Sequence, residues 1–191
     1  ADFILKDLNR KHGGSTFCFS YTPVDHNYVH NANLLGASLL ARLYKRSGDN
    51  ELKDAALSSL AYTMGHQHED GSWAYAESGF QNWIDSFHTG FNLQAIRYFI
   101  KSGLAEEYKA GYEKGVNFYK KNFFEPDGTP KYYHDRIYPI DIHCPTQAIV
   151  FFSEEGEKYQ AFTETILKWM IDNMWNPKGY FNFRKGKWIT N

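Results

Sequence analysis

The most constraining feature of the chain is a recurrence. Gly14, Gly71 and Gly128 each open a polar and aromatic stretch, and each stretch closes on a histidine, His30, His88 and His143, after a nearly constant interval. A second set of glycines, Gly48, Gly103 and Gly156, falls between them. Self-similarity with a period of roughly 55 residues marks a repeat protein, whose units bury their apolar faces by stacking on one another.

Taken in order, residues 1–12 read as a short helix, with Phe3, Ile4, Leu5 and Leu8 at helical spacing. Gly13 and Gly14 then open the first loop, which carries Phe17, Phe19, Tyr21, Asp25 and Tyr28. From about residue 31 to 45 the pattern is helical and apolar on most sides (Leu34, Leu35, Leu39, Leu40, Leu43), the mark of an interior helix. Gly48 stops it, and Asp49 or Asn50 caps an amphipathic helix over roughly 50–66. The second unit repeats the design, with Phe91, Leu93, Ile96 and Phe99 before Gly103, then Tyr108, Tyr112, Val116 and Tyr119. The third runs from Ala148 to Phe152, stops at Gly156 and continues through Tyr159, Phe162, Ile166 and Trp169. Its outgoing loop, residues 176–183, again pairs a glycine with aromatics, and the tail at 187–191 stands where a fourth inner helix is expected. The expectation is an all-α fold of three α/α hairpins in one domain over 1–191, with repeats near 30–86, 87–141 and 142–191. The long loops then gather at one end, beside the N-termini of the inner helices, where anionic groups are favoured.

Composition narrows the function. Fifteen Phe, fourteen Tyr and five Trp in 191 residues exceed what a small core needs, so some are expected to line a surface or cleft. A net charge of −1 argues against a nucleic-acid partner. Without a run of about 18 apolar residues no membrane span is expected; no n-region and h-region open the sequence, although cleavage removes such a segment from a mature chain, and the expected location is cytoplasmic. Cys18 and Cys144 form no metal motif and read as reduced thiols.

Gln67-x-x-Asp70-Gly71-Ser72-Trp73 resembles the repeat motif of the α/α-toroid superfamily, which includes triterpene cyclases and protein prenyltransferases and in which such a motif ties adjacent helices together. The fuller pattern is Phe19-Ser20-Tyr21-Thr22-Pro23, His30-Asn31-Ala32-Asn33, Trp83-Ile84-Asp85-x-Phe87-His88-Thr89-Gly90-Phe91 and Pro139-Ile140-Asp141-Ile142-His143. It resembles a group of bacterial toroid proteins associated with polysaccharide biosynthesis, and the arrangement is similar to six-hairpin glycosidases, polyuronate lyases and sugar epimerases. The resemblance implies an α/α toroid and a carbohydrate ligand. Such toroids close with about six hairpins, and three are visible. The expectation is therefore a piece of a longer ring, or an arc completed by further hairpins or a second copy.

The chemistry-bearing residues lie at the inner-helix starts. His30, His88 and His143 each follow an acid, Asp25, Asp85 and Asp141, and an Asp beside a His prepares it as a general acid or base near neutral pH. Paired carboxylates such as Asp85 and Asp141 also suit glycoside hydrolysis. The catalytic candidates are His88, Asp85, His143, Asp141 and Tyr21. His30, Asp25, Asn33, Trp73, Tyr75, Trp83, Tyr132 and Tyr133 are the candidates for sugar contact, the aromatics as platforms for ring faces. Equally, an Asp and a His at a helix start serve as capping devices, and Gln67 and Trp73 as structural ties. No metal or cofactor is expected, because no phosphate-cradling loop, nucleophile elbow or CxxC motif is present. A non-catalytic glycan- or protein-binding scaffold is the second reading. An isoprenoid-handling enzyme is the third, weakened by the absence of clustered aspartates.

Overall fold

The computed structural model describes residues 1–77 and 79–188. The chain is mostly helical: α1 (His30–Ser47), α2 (Asn50–Gly65), α3 (Ser86–Lys101), α4 (Lys109–Asn122), α5 (His143–Ser153) and α6 (Gln160–Met174). Helix α1 packs against α2 and α3, α3 against α4 and α5, and α5 against α6. The odd-numbered helices thus form a shared inner row, each backed by its even-numbered partner. One hydrophobic cluster runs through the row, from Ile4 by way of Leu34, Leu60, Ile96, Phe99, Tyr119 and Phe151 to Ile166. Among the described residues, no helix is long and apolar enough to cross a membrane.

The repeated glycines are where the backbone turns left-handed: the sequence-marked six and Gly179 all have positive φ. At two of them the fold also needs the missing side chain. A Cβ on Gly71 would lie 2.5 Å from the Lys114 carbonyl oxygen in α4, and one on Gly128 would lie 2.7 Å from that of Thr165 in α6. The loops at Gly71 and Gly128 therefore each leave one outer helix and press their backbone on the next. Gln67 reinforces the first contact, its Nε2 donating to Gly71 O at 3.0 Å and Gly111 O at 2.9 Å. Trp73 Nε1 donates to Thr63 O at 3.0 Å, and its ring lies against Gly115. The Gln67–Trp73 motif staples α2 to α4.

One local reading needs correction. Residues 1–12 are not one helix but a single π-type turn, Phe3–Asp7, followed by a hairpin of β1 (Arg10–Gly13) and β2 (Thr16–Phe19). The apolar periodicity ends at Leu8, and β1 is exposed throughout while Phe17, Cys18 and Phe19 are buried. Asn33 Oδ1, buried in α1, accepts the Phe19 N–H at 2.8 Å and fixes the hairpin to the helix layer. The loop after α6 turns at Gly179. It folds as β4 (Trp175–Asn176) with β5 (Tyr180–Phe181), then β6 (Arg184–Lys185) returns to pair with β3 (Ile140–Asp141). Of the tail expected to lead into a fourth inner helix, Ile189, Thr190 and Asn191 lie outside the described residues. Cys18 and Cys144 are both buried and free.

Candidate functional site

Asp85 is the N-cap of α3, in the position where a carboxylate relieves the unpaired N–H groups of a first turn. Its Oδ1 accepts the His88 backbone N–H at 3.1 Å, and its Oδ2 accepts His88 Nδ1–H at 2.8 Å and Trp83 Nε1–H at 3.0 Å. A carboxylate only accepts, so Nδ1 carries the proton and Nε2 is left as the working nitrogen of the ring. The carboxylate is fully buried, whereas the His88 side chain is 21% exposed.

Asp141 repeats this at α5. Its Oδ1 accepts the His143 backbone N–H at 3.0 Å and Nδ1–H at 2.7 Å, and the imidazole is 57% exposed. The other oxygen differs. Asp85 Oδ2 meets an indole N–H, but Asp141 Oδ2 meets Arg184 Nη2 at 3.4 Å, brought there by the pairing of β6 with β3.

Aromatic rings join the two imidazoles. Phe87 lies 4.2 Å from His88 and 5.4 Å from His143, centroid to centroid, and Tyr132 packs edge-on to it at 5.5 Å. On the far side of His88, Tyr75 sits 4.5 Å away and stacks on Trp83 at 4.9 Å with the planes 10° apart. Tyr133 packs on Tyr132 at 4.6 Å, and Phe183 approaches His143 at 6.0 Å. Burial raises the Tyr75 phenol above its usual range, with smaller contributions from Tyr21 and Asp85, and Tyr132 is raised for the same leading reason. Tyr21 is exposed. Asp85, His88, Asp141, His143, Tyr75, Trp83, Tyr132 and Tyr133 are thus brought together at the loop end. Phe87, Phe183 and Arg184 join them without having been marked by the sequence. Phe87 stands inside the quoted pattern and could have been found there. No local pattern leads to Arg184.

The first unit departs from the other two. Asp25 does not pair with His30. It closes its own turn, accepting from Thr22 Oγ1 and from the Asn27 N–H at 3.0 Å. The chain after it runs extended, Val29 bridges to Ala76, and His30 enters the interior with its N–H on Tyr75 O at 3.2 Å. His30, Asn33 and Trp73 are 2%, 0% and 1% exposed. His30 Nδ1 faces Thr63 Oγ1 at 3.3 Å, and Asn33 bonds Ser59 O and Thr63 Oγ1, both at 3.0 Å. Side chains so enclosed and so occupied hold loops to helices and offer a ligand no surface.

Burial lowers His30 to about 4, although Glu77 opposes the shift. An ordinary histidine titrates near 6.5, so between those values the unfolded chain binds a proton that the folded chain refuses. Stability is complete above pH 6.5 and falls as pH drops towards 4, by about 2 kcal/mol between pH 7 and pH 5. Urea unfolding at the two pH values should show that loss, and His30→Gln, which retains a polar atom for Thr63, should flatten it. Equal losses in both proteins would assign the effect to other groups.

A cavity of about 350 Å³ lies at the opposite, short-turn end, lined by Arg97, Lys101, Lys109, Tyr112, Lys158 and Tyr159 among others. Its buried Arg97 is already engaged by Phe151 O, Glu154 and Glu155, which leaves the Asp–His end as the stronger candidate. Among the described residues no three His, Cys, Asp or Glu side chains gather as a metal site.

No protein-family model matches the chain, and no curated protein matches it. Among solved structures it is similar to a crystal structure of D-mannose isomerase, with a TM-score of 0.65 and 10% sequence identity over 91% of this chain. The match covers 52% of that chain, so this one spans about half its length. At that identity the likeness shows the shared fold: an array of helical hairpins built as in D-mannose isomerase.

Proposed function

We propose that the loop end of this α/α-toroid chain is a carbohydrate rim, where His88 with Asp85 and His143 with Asp141 act as acid/base groups on a sugar, one carrying uronate units included. The carrying observation is the matched pair of imidazoles on either side of Phe87, each with Nδ1 fixed by a buried carboxylate. Flat aromatic faces at Tyr75, Trp83 and Tyr132 suit the C–H faces of a sugar ring, and the exposed Tyr21 is assigned to the same rim. Both carboxylates are sequestered and bonded to their histidines, so neither is placed as the nucleophile or direct acid of glycoside hydrolysis. The arrangement favours proton transfer by the imidazoles, as in epimerisation, isomerisation or lyase chemistry. The fold shared with D-mannose isomerase is compatible with that class. Completion of the rim by further hairpins or by a second copy belongs to the same proposal.

The test has two readouts, thermal unfolding with mono- and oligosaccharides and NMR detection of solvent deuterium washing into the sugar carbons. A bound sugar raises the midpoint. Deuterium exchange should fall by about 10²-fold or more in His88→Ala and in His143→Ala. Sugar binding without exchange in the unaltered protein, unaffected by either substitution, would select a non-catalytic glycan-binding module instead.

A further inference from the structure

The third unit holds a charged group that the proton-transfer reading leaves without a task. Arg184 sits on β6, and its partner across the strand pair is Asp141 itself. Arginine–carboxylate pairs frequently close through two short parallel bonds of about 2.8 Å. Here the contact is single and long, 3.4 Å from one nitrogen, and the Asp141 carboxylate is already held by two bonds from His143. The Arg184 side chain is 46% exposed and lies over the Phe183 ring at 5.4 Å, which supports its plane from one side. Its remaining N–H donors have no other protein partner among the described residues, and the carboxylate it touches holds His143 through the other oxygen. Asp85 has a neutral indole at the corresponding place. The asymmetry lies at the carboxylate itself: the second oxygen of Asp141 meets a cation where that of Asp85 meets a neutral indole.

Resting on the sugar-rim reading, we propose that Arg184 is the specificity-determining residue of this rim, taking an oxyanion borne by the sugar (a uronate carboxylate or a sugar phosphate) in a two-point contact next to His143. A planar fork of donors matches either group, and a charge-assisted contact of this kind is worth about tenfold or more in affinity.

The test compares D-galacturonate and D-galactose 6-phosphate with D-galactose, using the methyl ester of galacturonate as an uncharged control of nearly the same shape. Titration calorimetry should show at least one acid bound about tenfold tighter than galactose and, for the carboxylate, than its ester. In Arg184→Gln the ratio of acid to galactose affinity should fall to about one, and Arg184→Lys should restore only part of the preference. Preference for galacturonate alone would assign a carboxylate, and for the 6-phosphate alone a phosphate. Galactose bound as tightly as both acids, or a preference surviving in Arg184→Gln, would overturn the assignment and leave the rim standing. Binding of none of the four sugars would overturn the rim and the assignment together. The ester comparison uses the unaltered protein, so it decides the carboxylate case even if Arg184→Gln fails to fold.

Discussion

Gly71→Ala is expected to destabilise the protein by about 3 kcal/mol or more, against about 1 kcal/mol for Gly48→Ala, although both residues have left-handed backbones. Gly71 has φ +94 and Gly48 φ +73, so an alanine at either position pays the left-handed penalty of an L residue. Only Gly71 meets a second cost. Its Cβ would stand 2.5 Å from the Lys114 carbonyl oxygen, whereas nothing lies within 4 Å of a Cβ on Gly48. The obstacle is helix backbone, which cannot rotate aside, so the loop must lift off α4 and take Gln67 and Trp73 with it. Gly128→Ala should resemble Gly71→Ala, because it meets Thr165 O at 2.7 Å, and Gly103→Ala should resemble Gly48→Ala. For a chain of this size the larger class should lower the melting temperature by roughly 6–12 °C. Urea unfolding of the four variants checks the division into two classes. Equal losses in all four would mean that loop-to-helix contact does not hold the repeats together.

The second large effect is expected at Arg97, in the interior between the second and third units. Its guanidinium donates to Phe151 O and Glu155 Oε1, both at 3.2 Å, and to Glu154, and it lies over the Phe151 ring at 5.3 Å. The Glu155 side chain is 11% exposed and also accepts from the Tyr112 hydroxyl, whose pKa burial and that hydrogen bond push up. Arg97→Ala leaves the buried Glu155 carboxylate without its cation, and should cost about 3–5 kcal/mol. Arg97→Lys keeps the charge but not the fork that reaches three acceptors, and should fall between the two. By contrast Lys168→Ala, which removes an exposed pair with Asp172, should stay within about 0.5 kcal/mol. Chemical denaturation of the three variants provides the comparison. A loss at Arg97→Ala no larger than at Lys168→Ala would show that solvent reaches Glu155 and that the network is not enclosed.

These two sites lie on different sides of what a sequence can disclose. Gly71 and Gly128 were legible because their cause is local: a left-handed turn admits glycine with least strain, and it recurs wherever a unit recurs. The inner helices were legible for the same reason, since apolar residues at helical spacing report burial without reference to a partner. Asp85 and His88 also belong here, because a cap and its first turn lie within three residues of each other. Arg97 belongs to the other side. Inside the Phe91–Ile100 apolar run it reads as one polar position, and its partners lie more than fifty residues away.

What the sequence by itself determined is the period, the helices, the glycine turns and three candidate Asp–His positions, all read from patterns local to the chain. What the tertiary structure decided is which of the repeated residues reach the surface. His30 occupies the same place in its unit as His88 and His143, yet the bridge between Val29 and Ala76 draws it inward and separates it from Asp25. Arg184 carries no repeat signature, yet the pairing of β6 with β3 sets it beside Asp141. Both outcomes depend on strand pairing between segments far apart along the chain, and no local pattern encodes the register of such a pair. The repeat therefore supplied three equivalent positions, and packing left two of them at the rim.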